Sequence, residues 1–112
     1  SLPVMLEYHR EGWMPLEHIA KKMAHDVADC FRIVDRGYIR EGYFADLVLV
    51  DLNGKTSVEK NDLLYKCGWS PFEGFVFSSA ICNTWVNGSM VYDQGKIVEA
   101  GSGMRMKFKR DR

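Results

Sequence analysis

Three histidines, His9, His18 and His25, are the residues of this sequence best suited to bind a metal ion. His18 and His25 are seven positions apart, so a helix would place them near one face. A protein zinc site needs three or four ligands at suitable spacing, but the chain has no Cys-x-x-Cys pair and no carboxylate at a repeating ligand spacing. We therefore interpret these histidines as surface residues of helices and assign no metal ligand.

Two carboxylates, Asp46 and Asp51, flank the apolar run 47–50 and would form an acid–base pair if they converged. Side chains alternate along a strand, so positions five apart point to opposite faces. The simpler interpretation is that Asp46 accepts hydrogen bonds from backbone N–H groups of a turn. Asp51 is then expected to end the strand in solvent.

The stretch KCGWSPFEG, residues 66–74, contains the other reactive groups. Ser70 lacks the Gly-x-Ser-x-Gly turn and the base that a serine nucleophile requires, and Glu73 supplies no evident triad. Cys67 has only Lys66 nearby to lower its pKa. Pro71 biases Ser70 towards extended geometry, which favours a structural loop. The sequence therefore predicts no catalytic, cofactor-binding or metal-binding residue in this chain.

Composition indicates one globular domain at most: 112 residues, 46% hydrophobic, 27% charged and a formal net charge of +0. The balanced charge gives no reason to expect a nucleic-acid or membrane partner, and no apolar run approaches the ~20 residues of a membrane span. The first residues lack the pattern of a signal peptide. Three cysteines without close pairing fit buried thiols, so a cytoplasmic location is expected.

The first thirty residues have the features of two helices. Pro3 and Pro15 suit first turns, and Gly12 suits the end of the first helix. Asp26 is expected to cap a further short turn over residues 27–31. Apolar residues of the second helix recur at helical spacing and predict one covered stripe: Leu16, Ile19, Ala20, Met23 and Val27.

Short strands are expected from residue 32 onward, which makes the predicted fold α+β. Ile33, Tyr38 and Ile39 are strand-like residues punctuated by glycines. The continuous apolar run 47–50 predicts a strand covered on both faces. Residues 81–93 predict a hairpin around Asn87-Gly88, and the basic tail 104–112 is expected to be a solvated end.

Several stretches resemble the cyclic-amide hydrolases of the amidohydrolase superfamily. The stretch MAHDVADCFRI followed by RGYIREGYFADLVLVD is similar to a helix and a Gly-x-Ile-x-x-Gly-x-x-Ala-Asp-Leu-Val block near the C-terminus of that family. The stretches KCGWSPFEG and TWVNGSMVYDQGKI resemble its next blocks. The beginning, SLPVMLEYHREG, and the ending, MRMKFKRDR, look most like the dihydroorotase family. Three positions depart from the family's pattern. Asp26 stands where the family usually has Asn, Val27 where it has Pro, and Pro15 where it has Ser.

The resemblance implies that residues 1–31 are the last helices of a (β/α)₈ barrel. Residues 32–112 would be the C-terminal part of a small β-sandwich built from both chain ends, with Gly37 and Gly42 in the connection. The family's zinc ligands are a His-x-His, a carboxylated lysine, two later histidines and an aspartate. None of these motifs matches a stretch of this chain, so zinc is expected in the parent enzyme and none bound by this piece.

The implied activity is the zinc-dependent interconversion of dihydroorotate and N-carbamoyl-aspartate in pyrimidine biosynthesis, with this piece as inactive scaffold. A fragment of a hydantoinase, dihydropyrimidinase or allantoinase and an independent small interaction module are the open alternatives. The expected partners are the rest of the barrel and, in the parent, a small-molecule substrate. Uncovered apolar stripes and sheet edges also predict a homo-oligomer.

Overall fold

The computed structural model describes residues 1–98 and 103–110 of the chain. Helix α1 spans Leu2–Arg10 and ends where the Gly12 amide donates to the His9 carbonyl, as the sequence predicts. A second helical segment comprises α2 (Leu16–Ala20), a π-helical turn (Lys21–His25) and α3 (Asp26–Cys30). Its junction residues all have right-handed helical backbone angles, so these three parts are continuous.

The predicted apolar stripe of the second segment is mostly uncovered. Ile19 is buried, whereas the other stripe members are exposed on both sides of the π-helical turn: Leu16, Ala20, Met23 and Val27. Four of the five stripe members line one groove: Leu16, Ile19, Ala20 and Met23. The predicted cap at Asp26 is also wrong. Asp26 lies inside the helix, where its carboxylate accepts hydrogen bonds from Lys21 Nζ at 2.5 Å and Lys22 Nζ at 2.8 Å.

The main sheet is antiparallel and has four strands in the order β1 (Leu47–Asp51), β4 (Ala80–Val86), β5 (Ser89–Asp93) and β6 (Lys96–Ile97). The predicted hairpin is confirmed, with its turn at Asn87 and Gly88, and Gln94-Gly95 makes the next turn. The predicted covering of the apolar strand is wrong for this chain, because β1 is an edge strand in which Val48 and Leu49 are exposed.

A second, two-stranded sheet pairs β2 (Thr56–Ser57) with β3 (Val76–Phe77), and a 3₁₀ turn covers Lys60–Asp62. Three phenylalanine rings, Phe72, Phe75 and Phe77, lie within 6.1 Å of one another between centroids. The Glu7 carboxylate of α1 accepts a hydrogen bond from the Ser78 amide, which fixes this small sheet to the first helix.

The connection between helices and sheet, residues 31–46, contains no strand, so the predicted strand character is wrong for Tyr38 and Ile39, and Ile33 forms only an isolated bridge. The segment instead packs against the helix. Gly37 has φ +83°, and a Cβ on it would lie closer than 3.0 Å to the Ala28 Cβ. Only glycine allows this contact, because such a separation is far below normal carbon–carbon distances.

The described tail residues, 103–110, are all exposed, in agreement with the predicted solvated end, but the tail is also hydrogen-bonded to this connection. Phe108 pairs with Ile33 in an isolated antiparallel bridge. The Val34 amide donates to the Lys107 carbonyl, and the Lys109 amide donates to the Arg32 carbonyl, each at 2.9 Å. Residues 111 and 112 of the predicted tail lie outside the described residues.

The chain buries little of its apolar surface. Leu6, Ile19, Ala28 and Phe77 form the buried hydrophobic core. The radius of gyration is 15.7 Å, compared with about 13 Å for a compact domain of this length. The accessible surface is 8881 Å², and a compact monomer of this mass would expose about 6,300 Å². Roughly 2,600 Å² of surface is therefore in excess of what a compact domain exposes.

Candidate functional site

The three histidines do not converge. His9 Nδ1 contacts the Met14 carbonyl at 2.9 Å, His18 is exposed on α2, and His25 contacts the Gly37 carbonyl at 2.7 Å. In the segments 1–98 and 103–110, no three His, Cys, Asp or Glu side chains are placed to hold a metal ion together. His9 and His25 are both half-buried and have structural contacts, so the interpretation as surface residues holds fully only for His18.

Asp46 binds a turn, as predicted, but the turn is distant in sequence. Its Oδ1 accepts from the Asn87 amide at 2.9 Å, and its Oδ2 forms an ion pair with Arg36, whose side chain is 10% exposed. Partial burial raises the pKa of Asp46, yet the Asn87 N–H and the Arg36 guanidinium outweigh this effect and lower the pKa below its usual value. The carboxylate thereby joins the connection, β1 and the hairpin turn.

The other sequence candidates also have local structural contacts. Asp51 Oδ1 accepts from the Asn53 amide, and Ser70 Oγ accepts from the Phe72 amide at 3.1 Å. The Cys67 thiol donates to the Trp69 carbonyl, and Glu73 is exposed. All three cysteines are free, as expected, but Cys30 and Cys67 are exposed, which contradicts their predicted burial. No nucleophile and base are paired in these contacts.

The connection is held to the helix by a column of stacked side chains. The His25 ring stacks on the Tyr38 ring with centroids 4.2 Å apart, and the Arg40 guanidinium carbon lies 4.1 Å from the Tyr38 centroid. The Tyr38 hydroxyl donates to the Asp29 carboxylate at 2.6 Å, and this hydrogen bond raises the pKa of Tyr38 above its usual 10.0. Sequence analysis missed this cluster, because only the folded connection brings these side chains together.

Two apolar concave surfaces of the described residues are available for binding. A groove of about 580 Å³ lies between the helices and one face of β1, with Leu6, Leu16 and Ile19 on the helical side and Leu47 and Val48 on the strand side. A second, of about 600 Å³, lies along the sheet and includes Ile81, Val91 and Ile97. Together with the exposed apolar side chains around them, such as Leu49 and Ile97, these surfaces have the character of sites that bind further protein.

Among the described helices, none has the length and apolar character needed to cross a bilayer. The features of this chain are therefore apolar binding surfaces and structural polar clusters. They include no assembled group of reacting side chains within the described residues.

Comparison with known proteins gives consistent relatives, although no family model matches the chain. An allantoinase of Desulfitobacterium hafniense is 38% identical over 100 residues, which cover 89% of this chain and 22% of that protein. A dihydroorotase of Halobacterium salinarum is 35% identical over 107 residues, which cover 96% of this chain and 25% of that protein. The chain thus spans about a quarter of the length of the curated relatives it matches.

A solved structure matches as well. The L-hydantoinase (dihydropyrimidinase) from Arthrobacter aurescens superposes with a TM-score of 0.80 at 30% sequence identity, over 88% of this chain and 22% of that chain. The α+β arrangement of a few helices and a sheet is thus also present in that enzyme. The chain belongs to the cyclic-amide hydrolases of the amidohydrolase superfamily and corresponds to a C-terminal part of such a protein.

Proposed function

We propose that this chain is the structural C-terminal part of a cyclic-amide hydrolase and is inactive alone. Residues 1–31 are the last helices of its barrel, and residues 32–112 are the C-terminal part of its composite β-sandwich. The single observation that carries this proposal is the excess of roughly 2,600 Å² of surface over that of a compact monomer. Permanent interfaces bury about 2,000–5,000 Å² in total, roughly half of it on each partner, so the excess on this one chain corresponds to the upper end of that range.

The position of the excess surface supports the same proposal. Val48 and Leu49 on β1 are 46% and 53% exposed, and Ile39 in the connection is 88% exposed. A continuously apolar strand is typical of sheets covered on both faces. We propose that the rest of the barrel and of the sandwich covers these residues in the parent protein.

The catalytic metal and its ligands belong, in this proposal, to parts of the parent outside this chain. Zinc in the parent would polarise the ring carbonyl and activate the attacking water. The described residues of this chain contribute by support: Asp46 joins the connection to the sheet, and Glu7 fixes the small sheet to α1. The parent is expected to act in the cytoplasm on a small cyclic amide.

We propose dihydroorotate as the substrate, in the reversible reaction with N-carbamoyl-aspartate. The support is the resemblance of the first and last segments to dihydroorotases and the 35% identity to the Halobacterium salinarum dihydroorotase. Allantoin is the second candidate, because the Desulfitobacterium hafniense allantoinase has 38% identity over a similar length. Hydantoins are third, from the structural match.

The experiment uses the whole parent polypeptide, of which this chain is a part, supplied with zinc. Its rate of ring opening is measured with dihydroorotate, allantoin and a hydantoin. We expect the highest kcat/KM with dihydroorotate. The highest value with allantoin would replace the proposed substrate by the second candidate. Absence of ring opening with all three would refute the proposed class of reaction.

The 112-residue chain with zinc is the matched control for the scaffold role. We expect it to turn over none of the three substrates. Enzyme-like turnover by this chain alone would overturn the proposal, because it would require an active site within these residues.

A further inference from the structure

A polar cavity of about 360 Å³ lies between the end of α3, the connection and the tail. We call it the basic cavity. Its lining includes four basic side chains and two tyrosines: Arg32, Arg36, Arg40, Lys109, Tyr38 and Tyr43. The one carboxylate that lines it is Asp29. Because the whole chain has a formal net charge of +0, this concentration of positive charge is a local feature.

The tail contributes Lys109 to this cavity because it folds back. Lys109 is far from Arg40 in sequence, and the backbone hydrogen bonds of residues 107 and 109 to residues 34 and 32 bring the tail beside the connection. Phe108 pairs with Ile33 at the same place. These contacts hold like charges near one another, which is unfavourable unless an anion lies between them.

Arg40 is held in a fixed plane by aromatic rings. Its guanidinium carbon lies 4.1 Å from the Tyr38 centroid and 5.6 Å from the Tyr43 centroid. His25 also stacks on Tyr38, at 4.2 Å, so His25 and Arg40 must lie on opposite faces of that ring. A guanidinium whose faces contact aromatic rings keeps its N–H edges free for a planar, bidentate contact with an oxyanion.

The positive charges of the cavity outnumber its one carboxylate. Arg36 forms an ion pair with Asp46, which lies outside the lining. In the described part of the chain, Arg40 and Lys109 form no ion pair. Asp29 accepts a hydrogen bond from the neutral Tyr38 hydroxyl and keeps its charge, so one guanidinium and one ammonium group share a cavity with a single carboxylate.

We propose that the basic cavity binds a small molecule through an oxyanion group, a phosphate or a carboxylate, which lies between Arg40 and Lys109. Arg40 donates a bidentate pair of hydrogen bonds, and Lys109 contributes charge from the tail. The volume of about 360 Å³ leaves room beside the oxyanion group for the rest of a small molecule. This inference does not depend on the proposed reaction.

The test is calorimetric titration of the intact polypeptide with inorganic phosphate and, separately, with succinate at low ionic strength. The variants are Arg40→Gln and Lys109→Gln, and the matched control is Arg10→Gln, an exposed arginine of α1 that forms no ion pair in the described residues. A charge-assisted hydrogen bond contributes enough that its loss should raise the dissociation constant about tenfold. We expect that increase in Arg40→Gln and in Lys109→Gln and no change in Arg10→Gln.

The anion with the lower dissociation constant identifies the ligand as phosphate-bearing or carboxylate-bearing. Failure of the native polypeptide to bind either anion would overturn the proposal. Equal dissociation constants in the native protein and both cavity variants would also overturn it. Thermal unfolding of each variant checks that it folds, and Lys109→Gln, an exposed tail position, keeps the test decisive if Arg40→Gln does not fold.

Discussion

Replacing Gly37 with alanine tests the contact on which the path of the connection depends. The new Cβ would lie closer than 3.0 Å to the Ala28 Cβ and 3.0 Å from the Ala24 carbonyl oxygen. A left-handed backbone angle in a residue with a Cβ costs roughly 1–2 kcal/mol, and overpacking costs about 1–3 kcal/mol. We therefore expect Gly37→Ala to lower the free energy of unfolding by about 2–5 kcal/mol.

Gly42→Ala is the matched control. Gly42 has φ +82°, nearly the same as Gly37, but nothing lies within 4 Å of the position that a Cβ would take there. In this variant the free energy of unfolding should fall only by the backbone cost, roughly 1–2 kcal/mol. The assay is urea unfolding followed by tryptophan fluorescence, with linear extrapolation to water.

The difference between the unfolding free energies of the two variants measures the cost of the clash between position 37 and the helix. In an Ala28→Gly background, the loss caused by Gly37→Ala should fall towards that of Gly42→Ala, since one of the two clashes is removed. Equal losses in Gly37→Ala and Gly42→Ala would refute the reasoning, because the connection would then not pack against the helix at this point.

Three further predictions follow from the polar contacts and the exposed surface. Asp46→Ala should destabilise the chain by about 2 kcal/mol in urea unfolding, because it leaves the buried Arg36 guanidinium unpaired; Asp51→Ala, at an exposed turn, should cost less. Because the folded-state pKa of Asp46 is lowered from 3.8, its contribution is complete at neutral pH. That contribution should disappear as the pH falls below 3.8, and an acid unfolding profile unchanged by Asp46→Ala would contradict this assignment. Asp29→Asn should lower the pKa of Tyr38 in an NMR titration, since it weakens the hydrogen bond that raises it; an unchanged pKa would count against that bond. The 112-residue chain alone should sediment as a dimer or larger assembly because its apolar faces are uncovered, and a clean monomer would disprove this.

Local sequence patterns predicted the regular elements well. The helix ends at Gly12 and Pro15 and the hairpin at Asn87-Gly88 are properties of neighbouring residues, so they were predictable. No strand forms in residues 33–39, because Tyr38 stacks on His25 of the helix, Ile39 is 88% exposed and Ile33 forms only an isolated bridge with Phe108. The apolar stripe was correctly placed along one groove for Leu16, Ile19, Ala20 and Met23, but its covering was not observed, because only Ile19 is buried in this chain.

The candidate clusters show where local reasoning ends. Asp46 was correctly predicted to bind a backbone N–H group, but its partner Asn87 is 41 residues away. Its other partner is Arg36, and no feature of the sequence distinguishes this arginine as the one that forms the ion pair. The basic cavity needs Lys109 of the tail beside Arg40 of the connection. No spacing rule links such distant positions.

The sequence by itself determined the helices, the tight turns, the apolar strand and the superfamily, because these depend on short-range backbone preferences and on block similarity. The tertiary structure alone decided that Gly37 crosses Ala28, that the tail returns to Ile33, and that β1 lies exposed at a sheet edge. The physical reason is that such contacts depend on long-range packing, in which the burial and charge of one residue are set by partners far along the chain.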